Sequence, residues 1–98
     1  MTLEPTKAYY ITIEGGIEEI FPSDGKEFQL EEVQKRVEGY IEIVYLNKKQ
    51  IMIVNEEGKF YKGSNPIATG IANLHKALGA GDYICGNVVI CPSKMLHW

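Results

Sequence analysis

Apolar and polar residues alternate with a period of two in several short stretches, which is the pattern of β-strands with one buried face. The first stretch is 8–14, and Gly15-Gly16 after it marks a two-residue hairpin turn. Residues 17–21 then form the returning strand. The first part of the chain is therefore predicted to be a β-hairpin.

The period changes to that of an amphipathic helix in two places. Over 29–38 the apolar residues recur at the i, i+3 and i+7 positions, and Gly39 follows as a left-handed cap. The second helix begins at Asn65-Pro66, with Asn65 as its N-cap. Pro66 lies at the first helical position, where a backbone N–H has no partner within the helix, so the missing N–H of proline costs no hydrogen bond. Its apolar stripe consists of Ile67, Ile71, Leu74 and Leu78. Both segments are predicted to pack one face against a sheet.

Three further segments complete the pattern. Segments 40–46 and 51–55 flank a polar four-residue loop and predict a second hairpin. Residues 59–61 are a candidate for a short edge strand, and 83–91 is rich in β-branched residues and closes the sheet. The predicted order is β-β-α-β-β-α-β, which is an α+β fold with a mainly antiparallel sheet and two helices on one of its faces.

The length of 98 residues fits a single domain, 1–98. Flexibility is expected only in a leader, 1–7, and a tail, 92–98. Within the tail Met95, Leu96 and Trp98 are apolar, so they either dock on the sheet of their own domain or anchor a partner.

Charge and composition exclude several classes of function. Lys and Arg number 10 and Asp and Glu number 13, which leaves a net charge of −3, and Arg36 is the only arginine. A surface that binds duplex nucleic acid needs many more cations. No apolar run approaches the roughly 18 residues that span a bilayer, and the N-terminus lacks the features of a signal peptide. We therefore expect a cytoplasmic protein that binds neither duplex nucleic acid nor a membrane.

The two cysteines, Cys85 and Cys91, both lie in the predicted strand 83–91. A straight strand would separate them by roughly 20 Å, whereas a disulfide needs Cα atoms within about 7 Å. Neither has a neighbouring His or Lys that would lower the pKa of its thiol. They are predicted to be buried free thiols; a turn at Gly86-Asn87 is the alternative that would change this geometry.

The central hairpin supplies the first candidate site. With one residue per strand at each step across the loop, Glu42 pairs with Asn55, and Tyr40 lies near them on the same face. A carboxylate, an amide and a phenol within reach of one another can recognise the edge of a nucleobase and a ribose. The alternative is that Glu42 and Asn55 only form the solvated end of the sheet.

The second candidate site is the mouth of the helix that Asn65 opens. A helix N-terminus attracts anions, Gly63 and Ser64 let the backbone approach a phosphate, and Lys59 and Lys62 add positive charge. The spacing is not that of a P-loop, and the alternative is an ordinary capped helix beside surface lysines. The two sites together predict a phosphate-bearing ligand. The predicted ligand-binding residues are Tyr40, Glu42, Asn55, Lys59, Lys62, Ser64 and Asn65.

Catalytic signatures do not occur in the sequence: it contains no GxSxG, no HExxH and no glycine-rich dinucleotide fingerprint. His75 and His97, with scattered carboxylates, do not make a triad or a metal site. We therefore expect a protein that is not an enzyme and that uses neither a metal nor a cofactor.

Four blocks of the sequence carry a resemblance to a known family. They are GYIEIV at 39–44, VNEEGK at 54–59, NPIA at 65–68 and GDYICGNV at 81–88. In this order they resemble a small family carried by phages and mobile elements, which is known only as a domain of unknown function. The resemblance implies no activity and no catalytic residues. It implies a setting, that of a small accessory protein in the cytoplasm of an infected bacterium, where many such proteins counter host defence.

Two functions are compatible with these observations. The first is a non-catalytic phage-type protein with a role in counter-defence that holds a small phosphate-bearing, nucleotide-like signal in a pocket at a subunit interface. The alternative is a protein-interaction module that inhibits a host protein through its acidic surface and the open face of the sheet. The tyrosines expected to supply a contact surface are Tyr9, Tyr10, Tyr45 and Tyr61. We also expect the chain to form a homo-oligomer.

Overall fold

The computed structural model describes residues 3–96 and contains a five-stranded antiparallel sheet. Its strands are β1 (Ala8–Ile11), β2 (Ile17–Ile20), β3 (Ile41–Tyr45), β4 (Gln50–Asn55) and β5 (Val88–Pro92). Their spatial order is β2-β1-β5-β4-β3, so the last strand in the sequence lies at the centre, between β1 and β4. The α+β class and the mainly antiparallel sheet are confirmed.

Helical segments connect the strands. They are α1 (Leu30–Val37), α2 (Gly58–Tyr61), α3 (Pro66–Leu74) and a 3₁₀ turn (Ser93–Met95). A capping box between Gln29 and Glu32 begins α1, and its left-handed cap is Glu38, one residue before the predicted Gly39. The side chain of Asn65 caps α3, as predicted. With α2 as the addition, the predicted order of strands and helices is confirmed.

The two longer helices lie on opposite faces of the sheet. Consecutive residues of β1, β4 and β5 fall into alternate core clusters, one packed on α3 and the other on α1. The α3-side cluster includes Tyr9, Ile11, Met52, Val54, Val88, Ile90, Ala68 and Ala72. The α1-side cluster includes Ala8, Ile20, Ile51, Ile53, Val89, Cys91, Val33 and Val37. The prediction of both helices on one face is wrong, because residues 51–54 and all of β5 are buried without alternation, as in strands covered on both sides.

The register of the β3–β4 hairpin differs by one residue from the prediction. Glu42 lies opposite Val54, and Asn55 lies opposite Ile41. In the loop the side-chain oxygen of Asn47 accepts hydrogen bonds from the N–H groups of Lys49 and Gln50 at 2.8 and 2.9 Å. These bonds tighten the turn so that Tyr45 pairs with Ile51. Since neighbouring strand residues point to opposite faces, the side chains of Glu42 and Asn55 do not share one.

Two predicted strand segments have another structure. The candidate edge strand 59–61 is part of helix α2. The predicted strand 83–91 is interrupted at Gly86, whose φ of +87° is a left-handed conformation, and only the part after it joins the sheet as β5. Before the interruption Cys85 forms an isolated bridge with Ser64. The straight strand 83–91 is therefore wrong: the chain bends at Gly86, within the Gly86-Asn87 pair where the sequence left a turn as the alternative.

Both ends of the described chain pack on the domain. Leu3 contacts the α3-side cluster, and Met95 and Leu96 contact the α1-side cluster. The N–H of Phe28 donates a hydrogen bond to the carbonyl of Met95 at 2.9 Å. Of the two readings of the tail, docking on its own domain is correct for these two residues; His97 and Trp98 lie outside the described residues. Within 3–96, no helix has the length and apolarity needed to cross a bilayer.

Candidate functional site

A depression of about 200 Å³ lies at the end of β4, between β3, α2 and the segment 82–85, and we call it the β4-end depression. Its polar lining consists of Glu42, Asn55, Glu56, Lys59 and Asp82. Its apolar lining includes Val44, Val54, Phe60, Leu78, Tyr83 and Ile84. Three of the seven predicted ligand-binding residues, Glu42, Asn55 and Lys59, line this depression, although the side chains of Glu42 and Asn55 point to opposite faces of the sheet.

The amide of Asn55 is committed to the fold. Its NH₂ group donates to the carbonyls of Val37 and Glu38 at 3.0 and 3.3 Å, and its oxygen accepts from the N–H of Glu57 at 2.8 Å. These bonds tie the end of β4 to the end of α1 and the start of α2. Asn55 thus shapes the wall of the β4-end depression, and its amide is already engaged.

Lys59 is already paired with a carboxylate. Its ammonium forms a hydrogen-bonded ion pair with Asp82 and lies 5.2 Å from the centre of the Tyr83 ring. The hydrogen bond lowers the pKa of the Asp82 carboxyl and raises the pKa of the Lys59 ammonium, so both stay charged at neutral pH. A phosphate bound here would have to compete with Asp82 for the lysine.

Lys62 and Ser64 lie outside the β4-end depression. The ammonium of Lys62 pairs with the carboxylate of Glu38 at 2.5 Å, and Ser64 bridges to Cys85. Both residues belong to the connection between α2 and α3, next to the cap residue Asn65. The predicted cluster of free cations at the helix mouth is therefore absent, since each of its lysines has an acidic partner.

The last two predicted ligand-binding residues lie elsewhere. Asn65 is fully buried, and its NH₂ group donates to the carbonyls of Ile11 and Gly86 at 3.2 and 2.9 Å, so it is part of the core. Tyr40 is exposed and borders a separate shallow depression with Gln34 and Gly39. The phenol, the carboxylate and the helix mouth therefore do not converge on one pocket.

The charge of the β4-end depression is negative. Glu42, Glu56 and Asp82 line it against one cation, Lys59. Unpaired carboxylates repel an anion. At short range in partly desolvated surroundings this repulsion is stronger than it is in bulk water. This lining disfavours a phosphate and is compatible with a cationic group.

Exposed aromatic rings flank this depression, and we call Phe60, Tyr61 and Tyr83 the α2 surface. Phe60 is 80% exposed and Tyr61 77%, and their ring centroids are 6.4 Å apart. Tyr83, which lines the depression together with Phe60, is 46% exposed. Adjacent large aromatic side chains that find no cover in their own domain commonly mark contact surfaces.

Close packing of the backbone holds α2 in place. Gly58 is buried, and a Cβ on it would lie 2.8 Å from the carbonyl oxygen of Cys85. The N–H of Gly86 donates to the carbonyl of Gly63 at 2.8 Å, and the N–H of Asn65 donates to Ile84 at 2.8 Å. Because α2 is fixed at both ends, its aromatic rings project from an ordered element.

Sequence reasoning missed four residues of this region: Glu56, Phe60, Asp82 and Tyr83. A signal for Phe60 existed, because the adjacent pair Phe60-Tyr61 lies between two lysines and has no helical or alternating apolar pattern to bury it. Nothing comparable marked Asp82, which reaches Lys59 only through the folding of the chain.

The thiols do not provide a reactive group. Cys85 and Cys91 are both free and buried, as predicted. Burial raises the pKa of the Cys85 thiol and raises that of Cys91 to about 12, so both stay protonated at neutral pH. Among residues 3–96, no group of three or more His, Cys, Asp or Glu is placed to hold a metal ion.

The fold and this region define a small α+β protein with an acidic depression bordered by exposed aromatic rings. Residues 1–94 match a family described as a domain of unknown function (DUF3846), and the chain belongs to this family. No curated protein and no solved structure matches the chain.

Proposed function

We propose that this chain is a non-catalytic protein-binding module that contacts its partner through the α2 surface. The observation that carries the proposal is the exposure of Phe60 and Tyr61, 80% and 77%, at adjacent positions of one helix. Burying a side chain of this size contributes about 1.5–3 kcal/mol, so two such rings can dominate a contact.

The structure of α2 lowers the entropic cost of binding. Its backbone is held at Gly58 and Gly63 by packing and hydrogen bonds to the segment 84–86, so the rings need little ordering when a partner arrives. Phenylalanine and tyrosine also have few rotatable bonds. Most of the free energy gained by burying these rings is therefore available to stabilise the complex.

The electrostatic surroundings favour a partner with positive charge. The adjoining depression is lined by Glu42, Glu56 and Asp82, with Lys59 already paired. Complementary charge mainly accelerates association and selects among partners, and its effect falls with salt. We therefore expect the aromatic rings to supply affinity and the carboxylates to supply selectivity.

The finer expectations from the sequence stay predictions. A phage-type setting, a counter-defence role and the cytoplasm of a host bacterium come from the resemblance, and in that setting the partner would be a host protein. Self-association is likewise a prediction. A nucleotide-like signal at the predicted residues has less support, because Asn55 and Asn65 are engaged internally and Lys59 and Lys62 are ion-paired.

Site-specific photo-crosslinking tests the proposal. The crosslinking residue p-benzoylphenylalanine replaces Phe60 or Tyr61 in cells of the natural host, and Phe21, which is 72% exposed elsewhere on the surface, serves as the matched control. Adducts are expected at the first two positions and not at the third. No adduct at Phe60 or Tyr61, or equal adducts at all three, would contradict the proposal.

The crosslinked protein is then identified by mass spectrometry, purified, and titrated with the unmodified chain. The double substitution Phe60→Ala/Tyr61→Ala is expected to weaken binding by at least ~30-fold, about 2 kcal/mol, while Phe21→Ala changes Kd by less than about twofold. An adduct with a second copy of this chain would instead make the α2 surface a homo-oligomer contact. Wild-type affinity in the double variant would exclude the surface.

A further inference from the structure

A second depression, of about 420 Å³, lies at the opposite end of β4, and the proposed function does not use it. Its lining residues are Pro5, Thr6, Lys49, Pro92, Ser93 and Lys94, and we call it the Lys49–Lys94 depression. It adjoins the pairing of Gln50 with Pro92, whereas Asn55 ends β4 at the other side. Roughly 17 Å of strand separate the two ends.

The sheet brings three distant segments together here. The N–H of Ser93 donates a hydrogen bond to the carbonyl of Lys49 at 2.8 Å, which joins the β3–β4 loop to the segment after β5. Since β1 runs antiparallel to β5, with Tyr9 opposite Ile90, the residues before β1 lie alongside those after β5. Thr6 reaches the depression in this way.

Two lysines without an ion pair line this depression together. Lys49 and Lys94 are exposed, and within residues 3–96 neither forms an ion pair, whereas Lys7, Lys59 and Lys62 each do. The described lining contains no carboxylate. Two lysines that line one concave surface favour an anion, because an anion relieves the repulsion between their ammonium groups.

We propose that the Lys49–Lys94 depression binds the phosphate group of a small phosphorylated organic molecule. Two ammonium groups match the charge of a phosphate monoester, about −1.5 to −2 at neutral pH, whereas a sulfonate or carboxylate leaves one lysine uncompensated. The hydroxyls of Thr6 and Ser93 can donate hydrogen bonds to the phosphate oxygens. This site is independent of the α2 surface.

The rest of the lining indicates an organic part. Pro5 is exposed and offers apolar surface without a side-chain donor, against which a ring can pack, whereas Pro92 lines the depression but is itself buried. The volume lies within the range of about 300–1,000 Å³ that is usual for small-molecule sites, and inorganic phosphate alone would leave most of it to water. A phosphate monoester with a flat apolar group fits both features.

The test is a titration of the full chain followed by ¹H–¹⁵N NMR at low salt, with phenyl phosphate as the probe. Saturable shifts are expected at the backbone amides of Thr6, Lys49, Ser93 and Lys94. Benzenesulfonate has a similar ring and a single charge, and it is expected to bind at least about fivefold more weakly. No saturable shifts at millimolar probe, or equal binding of the sulfonate, would overturn the proposal.

Charge-matched variants separate a site from diffuse surface charge. Lys49→Gln/Lys94→Gln is expected to weaken binding of phenyl phosphate by about tenfold or more. Lys35→Gln/Lys48→Gln removes the same charge from residues that do not line the depression, and it is expected to change Kd by less than about twofold. Equal weakening in both variants would overturn the proposal, and so would binding of inorganic phosphate as tightly as phenyl phosphate.

Discussion

Asn65 shows how one polar side chain can hold distant parts of a small domain together. It is the only buried polar residue among those the structure describes, at 0% exposure. Its side chain donates to the carbonyls of Ile11 and Gly86 and accepts from the N–H of Ala68 at 3.0 Å. One amide thus connects β1, the turn before β5 and the first turn of α3.

Replacing this side chain should be strongly destabilising. Asn65→Ala removes the helix cap, which costs about 1 kcal/mol, and leaves two buried carbonyls without their partner at about 1–3 kcal/mol each. We expect the free energy of unfolding to fall by about 3–5 kcal/mol, measured by urea denaturation monitored by circular dichroism.

The matched control is Asn73→Ala, an exposed asparagine near the other end of α3. It should change the free energy of unfolding by no more than about 0.5 kcal/mol. A loss below about 1 kcal/mol in Asn65→Ala would show that the three hydrogen bonds contribute little to folding.

The residue scale also shows what the sequence could predict. The role of Asn65 as N-cap was predictable because the cap is local: an amide before a proline and an apolar helical stripe. Its bonds to Ile11 and Gly86 were not, because these partners are 54 and 21 residues away in the sequence. The same distance effect explains why the sequence predicts Lys59 and Lys62 to be free cations, since their partners Asp82 and Glu38 are remote in the chain.

At the scale of elements, α2 depends on one glycine. Gly58 is buried at its first position, and an added Cβ would lie 2.8 Å from the carbonyl oxygen of Cys85, which is backbone and cannot rotate away. The close approach of these two backbones sets the position of Phe60 and Tyr61. The position of helix α2 therefore depends more on the absence of a side chain at Gly58 than on the helix propensities of its residues.

We expect Gly58→Ala to lower the free energy of unfolding by about 1–3 kcal/mol through overpacking, measured by thermal and urea denaturation. Gly70→Ala is the matched control, since a Cβ on Gly70 meets nothing within 4 Å and the residue is inside α3. It should stabilise by about 0.5–1 kcal/mol because alanine favours a helix. The same sign of effect in both variants would contradict the packing argument.

The hairpin β3–β4 shows where prediction at the element scale ends. Its existence followed from two apolar stretches around a polar loop, and it is present. Its register depends on two hydrogen bonds to the side chain of Asn47, which shift the pairing by one residue. A shift of one residue moves every side chain to the other face, so the predicted grouping of Glu42 with Asn55 was lost with it.

At the scale of the whole molecule, charge is distributed unevenly along β4. One end has the carboxylates of the β4-end depression beside the α2 surface, and the other has the unpaired Lys49 and Lys94. The net charge of −3 conceals this polarity, because it sums both ends. A protein partner and a small anion would therefore meet different ends of the molecule and need not compete.

Composition and periodicity did not show that helices cover both faces of the sheet. Alternation in β1 and β3 indicated one buried face, whereas the unbroken apolar stretches in β4 and β5 are equally compatible with edge or centre positions until the strand order is known. What shows a helix on each side is that every residue of β5 is buried and that its alternate residues pack on α3 and on α1.

Met52 and Ile53 test this two-sided architecture directly. They are adjacent in β4 and fully buried, with Met52 in the α3-side cluster and Ile53 in the α1-side cluster. With both faces covered, Met52→Ala and Ile53→Ala should each lower the free energy of unfolding by about 2–5 kcal/mol in urea. Glu42→Ala on the neighbouring strand is exposed and should cost about 0.5 kcal/mol or less. If one helix did not cover its face, one of the two core variants would lose less than about 1 kcal/mol, because its side chain would be partly hydrated before and after the change.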